Sequence, residues 1–433
     1  AGVVIAGRPL TDYLPVQLSD GTLVTQYDKD LVERLGLLKM DFLGLRTLTV
    51  IADALENIYH SRGERIDIGK IPLEDELTGK MLCDGQTSAV FQMESAGMTQ
   101  LVKDLAPRSF EDLIPLVALY RPGPLGSGMV RDFIDGRHGR KKAEYPHPLL
   151  EPILKETFGV ILYQEQVMQI VQVLAGFSLG QADLLRRAMG HKEPELLMKQ
   201  KETFLAGANA RNVDEKTAEH IFELLTHFAD YGFNKSHSAA YALVAWQTAW
   251  LKAHYPAEFM AAMLTSVVDS SGKVGVYIEQ CRRMGIPILP PDINASSASF
   301  SVDGKAVRFG LSAVKNVGDG AIAEIKNREA AGGPYTSLED FCSRADMRTV
   351  NKRVIESLIK CGAFDSLGAY RSQLLAILPD AAAQGAYHQK DAESGQLGLF
   401  GEEENLMAIS LPNINEAPLE ERLAWEKEIT GFY

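Results

Sequence analysis

The sequence predicts a mainly α protein with minor β, on three observations. Most of the chain places apolar residues three and four apart between Pro, Ser and Gly punctuation, the pattern of amphipathic helices. β-like character is read at two places, Leu37–Phe42 from period-two alternation and residues 286–311 from Pro287, Pro290, Pro291 and the Asp303-Gly304 hairpin signal. The 433 residues are 46% hydrophobic, with 37 Gly and 19 Pro scattered along the chain. That composition suits two to four folded domains and excludes wholesale disorder or a collagen-like repeat.

Residues 31–60 read as a strand feeding a helix. In the strand Leu38, Met40 and Phe42 fall on one face and Leu37, Lys39 and Asp41 on the other, and Leu45–Ile58 follows with helical spacing. Short amphipathic helices fill 72–120, with Pro72 and Pro107 as natural starts. The run Arg121-Pro122-Gly123-Pro124-Leu125-Gly126-Ser127-Gly128 reads as a shaped loop, neither helix nor strand. Helices are expected near 149–156, 164–175, 180–189, 193–210 and 214–228. The longest helix is expected from Ser236, as N-cap, to Tyr255, with another over 257–268. After the β-like 286–311, with its Asp303-Gly304 hairpin signal, small helices are expected at 319–329, 337–343, 350–361 and 371–383. From about 384 to 418 the composition shifts to that of a linker or tail.

Charge and cysteine usage narrow the function classes. The net charge is −13, from 44 Lys+Arg against 57 Asp+Glu, yet residues 121–142 form a basic band and 231–255 contain no acid. An acidic protein with such a band can still hold a polyanion, because the local field decides where phosphates settle. Cys83, Cys281, Cys342 and Cys361 form no C-x-x-C pair and read as free thiols of a reducing compartment, and nine scattered histidines form no zinc motif. No apolar run reaches the ~18 residues of a membrane span. The opening residues lack a signal peptide and an initiating Met, so the chain reads as a fragment of something longer.

Six constellations could carry chemistry. Lys39 and Asp41 share a strand face, as a surface ion pair or as a metal-ligand carboxylate beside a phosphate-contacting lysine. Arg121 heads a rigid Pro/Gly loop, either a connector or a pre-ordered phosphate clamp. Arg186, Arg187, His191 and Lys192 end a helix, as a solvated basic terminus or as a match for a triphosphate's charge. Lys235 and His237 sit at the entry to a long helix, where free N–H groups favour an anion; the alternative is Ser236 or Ser238 as a plain cap and His237 as a satisfied core residue. Lys315, Gly318 and Gly320 lie in a hydrophobic-Gly-x-Gly turn that fits a helix-hairpin-helix grip on duplex backbone, or an ordinary αα-hairpin. Gln396, Leu397, Leu399 and Phe400 form an apolar plug in a polar segment, suited to a partner's pocket or to a local turn.

Taken together, these strings resemble the C family of bacterial replicative DNA polymerases, the alpha subunits of DNA polymerase III. The resemblance is carried by Lys39–Thr47, Val90–Ser95, the Arg121–Leu125 loop, Leu162–Gln166, Arg186–Gly190 and Phe233–Tyr241, in the family's order across nearly the whole chain. It implies the last part of a polymerase-β-like palm over 1–46, a helical fingers domain over 47–285, and a small β segment plus tandem helix-hairpin-helix elements over 286–383. A flexible tail over 384–433 would carry the clamp-binding motif and the start of the next domain. It further implies Asp41 as a catalytic residue and ligand of one of two Mg²⁺ ions. Lys39, Arg121, Arg186, Arg187, His191, Lys192, Lys235 and His237 would face the dNTP, and Lys315, Gly318 and Gly320 the primer-template DNA. Gln396, Leu397, Leu399 and Phe400 would dock on the sliding clamp, beside other replicative holoenzyme subunits, in the cytoplasm and with no membrane partner.

One departure matters. The family's other two aspartates form an Asp-x-Asp pair, and no such pair occurs here in that context. One carboxylate cannot organise two metals, so the chain by itself is expected to bind DNA without synthesising it. The competing readings are a polymerase piece, a DNA- and clamp-binding module, and a basic-pocket metal hydrolase; the last lacks clustered His/Asp ligands.

Overall fold

Helices dominate the computed structural model, which describes residues 2–42, 44–191, 194–229, 232–394 and 409–431. The fold is mainly α, as the periodicity predicts. The chain divides between Thr49 and Val50 into two units.

In the N-terminal unit, β1 (Gly2–Ile5) pairs antiparallel with the distant Leu38–Asp41, and between them β2 (Val16–Ser19) and β3 (Thr22–Thr25) form a hairpin. The strand Leu38–Asp41, here β4, places Lys39 opposite Val4 and Asp41 opposite Gly2. Alternation within it holds, but its apolar face is turned outward: Leu38 is 57% exposed and Phe42, just past it, 63%. The small core lies on the other side, where Leu37 joins Leu14 and Val32. Lys29–Arg34, ahead of the strand and absent from the sequence reading, forms a helix, because the Asp28 carboxylate accepts from the Leu31 amide and caps it.

In the second unit one core runs from the helix Arg46–Arg62, at Val50, Ile51, Ala54 and Ile58, to the last helices. Its axis is the helix Lys235–His254, packed along Phe110–Leu119. Trp246 on that helix is wholly buried and donates its Nε1–H to the Pro72 carbonyl at 2.8 Å. A separate cluster joins the helices Gln164–Ala175, Leu179–His191, Pro194–Asn209 and Glu215–Ala229. Ile288–Leu289 (β5) lies parallel to Ala306–Arg308 (β7), and Ser301–Asp303 (β6) pairs antiparallel with β7. The hairpin turns at Gly304, whose φ of 62° explains the glycine.

Several elements differ from expectation. Pro122–Gly126 closes a short helical turn, because proline at the first helical position loses no hydrogen bond. The helices expected from Pro72 and Pro107 start a few residues later, at Glu76 and Phe110, where Asp75 and Ser109 cap them. Asn234, not Ser236, caps the helix Lys235–His254, accepting from the His237 amide at 2.7 Å. The helix Ser271–Arg283 escaped the sequence reading, although Val274, Ile278 and Cys281 are its buried stripe. The longest helix is Arg371–Ser394, not Lys235–His254: it runs past the expected end at 383 on Ala and Gln, good helix formers. Residues 409–431 fold back on the same unit. Glu416 accepts from the Arg371 and Ser372 amides, Arg371 pairs with Glu426 at 2.8 Å, and the Lys315 amide donates to the Ile429 carbonyl. Among the described residues no helix is long and apolar enough to cross a membrane.

Lys252 is a buried ammonium in this core. It is 1% exposed and donates to the carbonyls of Gln86 and Ser88, both at 2.7 Å. Burial pushes its pKa from the ordinary 10.5 down to about 8. Below pH 8 both folded and unfolded states carry the charge, and the folded state bears the full cost of burying it. Between 8 and 10.5 only the unfolded state keeps the proton, so stability rises with pH. Denaturation of the wild type and of Lys252→Met should therefore diverge in the wild type's favour over that window, by at most about 1.4 kcal/mol per pH unit. A constant difference would contradict this.

Candidate functional site

Two loops far apart in sequence are stitched together at the entry to the helix Lys235–His254. Tyr163 and Phe233 form a parallel bridge: the Gln164 amide donates to the Phe233 carbonyl at 2.9 Å, and the Phe233 amide to the Leu162 carbonyl at 3.3 Å. The Gln164 side chain adds a bond to the Gly232 carbonyl. Buried Gln166 locks the first loop from behind. Its Oε1 accepts from the Leu162 and Tyr163 amides, and its Nε2 donates to Thr157 Oγ1 at 2.8 Å.

Cations from three segments converge on this seam. The Arg121 guanidinium lies 4.4 Å over the Phe233 ring, donates Nε–H to the Ala118 carbonyl, and is partly desolvated, which pulls its pKa down. Arg186 reaches Gln164 Oε1 at 3.5 Å while its Nε and Nη2 hold Asp183 Oδ1 at 3.0 and 2.9 Å. Arg187 takes the other oxygen of Asp183 at 2.9 Å. These bonds keep the Asp183 carboxyl below its usual range, Arg186 contributing most. Lys235 Nζ lies 5.5 Å from the Tyr163 ring centroid and donates to both oxygens of Glu156, at 2.9 and 2.6 Å. Its amide donates to both oxygens of Glu165, so a carboxylate already occupies this helix N-terminus.

His237, one turn on, stacks at 4.1 Å on Tyr241 and meets Phe233 edge-on at 5.4 Å; Tyr241 in turn contacts Phe91 at 5.4 Å. The result is an aromatic ladder, with exposed His237 at its centre, beside a group of cations. Such an arrangement can stack a planar ring and hold phosphates at once.

The predicted residues are thus partly brought together. Arg121, Arg186, Lys235 and His237 surround one seam, and Arg187 shares Asp183 with Arg186. His191 ends its helix, with the helix position all that is described of it; Lys192 lies outside the described residues. Lys39 and Asp41 lie on β4 of the N-terminal unit, where the backbone register is what is described for Asp41. The basic band of 121–142 is largely balanced by nearby acids: Arg131 and Arg140 face Asp135, Lys141 faces Asp132, and Arg137 faces Asp112 on the helix Phe110–Leu119. Sequence reasoning missed Glu156, Asp183 and Gln164 as the groups that order these cations. The pairings of Glu156 with Lys235 and of Gln164 with Gly232 span 79 and 68 residues, which no local pattern reports, whereas Asp183 precedes Arg186 and Arg187 by three and four residues, a helical spacing the sequence does offer.

At the C-terminal end of this unit, Leu311–Ala313 forms a 3₁₀ turn and Asp319–Gly332 a helix, with Gly318 at its N-cap. Lys315, Gly318 and Gly320 are exposed there. A Cβ at Gly318 would meet nothing within 4 Å, and one at Gly320 only the Thr349 methyl at 4.0 Å, so internal packing does not require either glycine. Asn316, at φ 69°, anchors the turn by donating to Ser357 Oγ. Gln396, Leu397, Leu399 and Phe400 lie outside the described residues. Among the described residues no cluster of three His, Cys, Asp or Glu is arranged to hold a metal.

Known families match in the same order as these structures. Residues 1–44 match the bacterial DNA polymerase III alpha NTPase domain, 47–212 the bacterial DNA polymerase III alpha subunit finger domain, and 285–374 a helix-hairpin-helix motif. DNA polymerase III subunit alpha of Pseudomonas aeruginosa is 48% identical over the whole of this chain, which covers 40% of that relative. The same-named protein of Escherichia coli K12 is 49% identical, with 38% of its length covered, and that of Thermus aquaticus 49%, with 36% covered. The chain thus spans about 40% of the length of the curated relatives it matches. Three family matches in order and near-50% identity from end to end place this chain in the alpha-subunit family of bacterial DNA polymerase III.

Proposed function

We propose that the polypeptide containing this chain performs template-directed DNA synthesis in chromosomal replication, and that the chain supplies its nucleotide-facing and duplex-gripping surfaces. The observation that carries this reading is the seam at Tyr163 and Phe233, where Arg121, Arg186 and Lys235 meet an aromatic ladder centred on His237. Arg121, Arg186, Arg187 and Lys235, with His191 and Lys192 nearby in sequence, would hold the triphosphate of a dNTP, and His237 would meet its nucleoside. Lys39 would add a phosphate contact and Asp41 a carboxylate for one of two Mg²⁺ ions, which in the intact enzyme activate the primer 3′-hydroxyl. A single strand carboxylate is too small a donor set for two metals, so no catalytic step is assigned to this chain alone.

The domain roles follow: palm end over 1–46, fingers over 47–285, helix-hairpin-helix region over 286–383. Lys315, Gly318 and Gly320 would approach duplex phosphates, a reading supported by the open space around both glycines. Gln396, Leu397, Leu399 and Phe400 would dock on the sliding clamp, alongside other holoenzyme subunits. Three buried free cysteines support a reducing cytoplasm.

Titration of the chain against primer–template duplex tests this reading. Binding should weaken steeply as salt rises, and Lys315→Ala should lower affinity and flatten the slope of log K against log salt by about one. Absence of binding at low salt would sink both the polymerase and the DNA-binding readings.

A further inference from the structure

Three cations at the nucleotide face, Lys235, Arg186 and Arg187, are bonded to carboxylates of the same unit. Lys235 is held by both oxygens of Glu156, and Arg186 and Arg187 are held by opposite oxygens of Asp183. Glu165 covers the helix N-terminus at the Lys235 amide. None of these pairs is sealed in the core: Lys235 and Glu156 are 39% and 49% exposed, Arg186 and Asp183 31% and 33%. An exposed pair of this kind adds little stability, so fold maintenance is a poor account of three of them at one seam.

We infer that Glu156 and Asp183 are placeholders: they hold Lys235 and the Arg186–Arg187 pair in phosphate-binding geometry before nucleotide arrives, and a triphosphate binds by taking these cations over. The inference rests on the nucleotide reading above and adds to it the groups that set its affinity. Long cationic side chains lose rotamer entropy when they clasp a ligand, and a carboxylate that has already ordered them removes much of that loss. The same carboxylates repel the incoming phosphates and must be outcompeted, which a triphosphate achieves through its several charges and bidentate arginine contacts. Affinity is thereby held down, and once the α-phosphate has bonded to the primer the two acids can take the cations back as the pyrophosphate leaves. Gln164 keeps Arg186 near the seam through Oε1 while its amide nitrogen stays on Gly232, so the guanidinium has a second tether once Asp183 is displaced.

The test is an equilibrium titration of dNTP against the full-length polymerase on a primer–template with a dideoxy-terminated primer, where no bond can form. Glu156→Gln and Asp183→Asn should each tighten dNTP binding about three- to tenfold, whereas Lys235→Gln should weaken it. Tightening on loss of a hydrogen-bonded acid is opposite to what a structural role would give. If both acid variants leave the dissociation constant unchanged or raise it while Lys235→Gln weakens binding, the placeholder role is overturned and the nucleotide reading stands. If Lys235→Gln and Arg186→Gln both leave affinity untouched, the nucleotide reading itself fails and the placeholders with it.

Discussion

Replacing Asp41 with Ala in the full-length polymerase should lower the rate of nucleotide incorporation by roughly a thousandfold or more, about 4 kcal/mol of barrier. Phosphoryl transfer depends on metal ions that neutralise charge developing between the attacking and leaving oxygens. Removing one carboxylate from such a site weakens both the hold on the metal and its placement. The strand supplies the rigidity: β4 is paired residue by residue with β1, which fixes the Asp41 Cα opposite Gly2 at the last rung of the ladder. A ligand at a strand end is set by backbone bonds, with little freedom to drift. Single-turnover extension of a primed template at saturating dNTP measures the effect, with duplex affinity recorded beside it. A near-normal rate would remove Asp41 from the catalytic site. The chain by itself should incorporate no dNTP under the same conditions, and template-dependent incorporation would contradict the one-carboxylate argument.

Much of the fold was legible because it rests on local chemistry. Helices were readable where apolar spacing and a terminal signal coincide, as at Gln164–Ala175 and Asp319–Gly332, and the Asp303-Gly304 turn gave the C-terminal hairpin. Cap positions were less legible, since Asn234 and Ser236 both suit an N-cap and the choice is made by Glu165 on a distant helix. The candidate site followed the same division. Its cations could be named from their clustering, and Asp183 lies one helical turn before Arg186 and Arg187, but nothing local pairs Glu156 with Lys235. Lys235 meets Glu156 only because Tyr163 pairs with Phe233, a contact no period reports. The alternation of β4 is legible, but its orientation is not: Leu38, Met40 and Phe42 make the more apolar face, while the core that buries Leu37 is built with Leu14 and Val32 from other segments, which no alternation reports.

Trp246→Ala should destabilise the chain by about 3–5 kcal/mol. Trp246 is fully buried at the middle of the helix Lys235–His254, among Ala242, Ala245 and Ala249, which are also inaccessible. Small neighbours let the helix lie close to Phe110–Leu119, so backbone on both sides leaves little slack to refill the space of a lost indole. The substitution also leaves the Pro72 carbonyl without its 2.8 Å donor, a further cost unless water enters. Trp246→Phe separates the two contributions: most of the volume remains, the hydrogen bond does not, and a loss of about 1–2 kcal/mol is expected. Urea denaturation midpoints for the three proteins read this directly. A shift below about 1 kcal/mol for Trp246→Ala would mean that the axis of the helical unit lies elsewhere. The position of Lys235 and His237 at the start of this same helix gives the experiment its functional edge. Eleven residues at 1.5 Å each put Trp246 about 16 Å from Lys235, too far to touch a nucleotide. Lost nucleotide affinity in the folded Trp246→Phe protein would therefore show that packing at the helix centre sets the pose of the cations at its end.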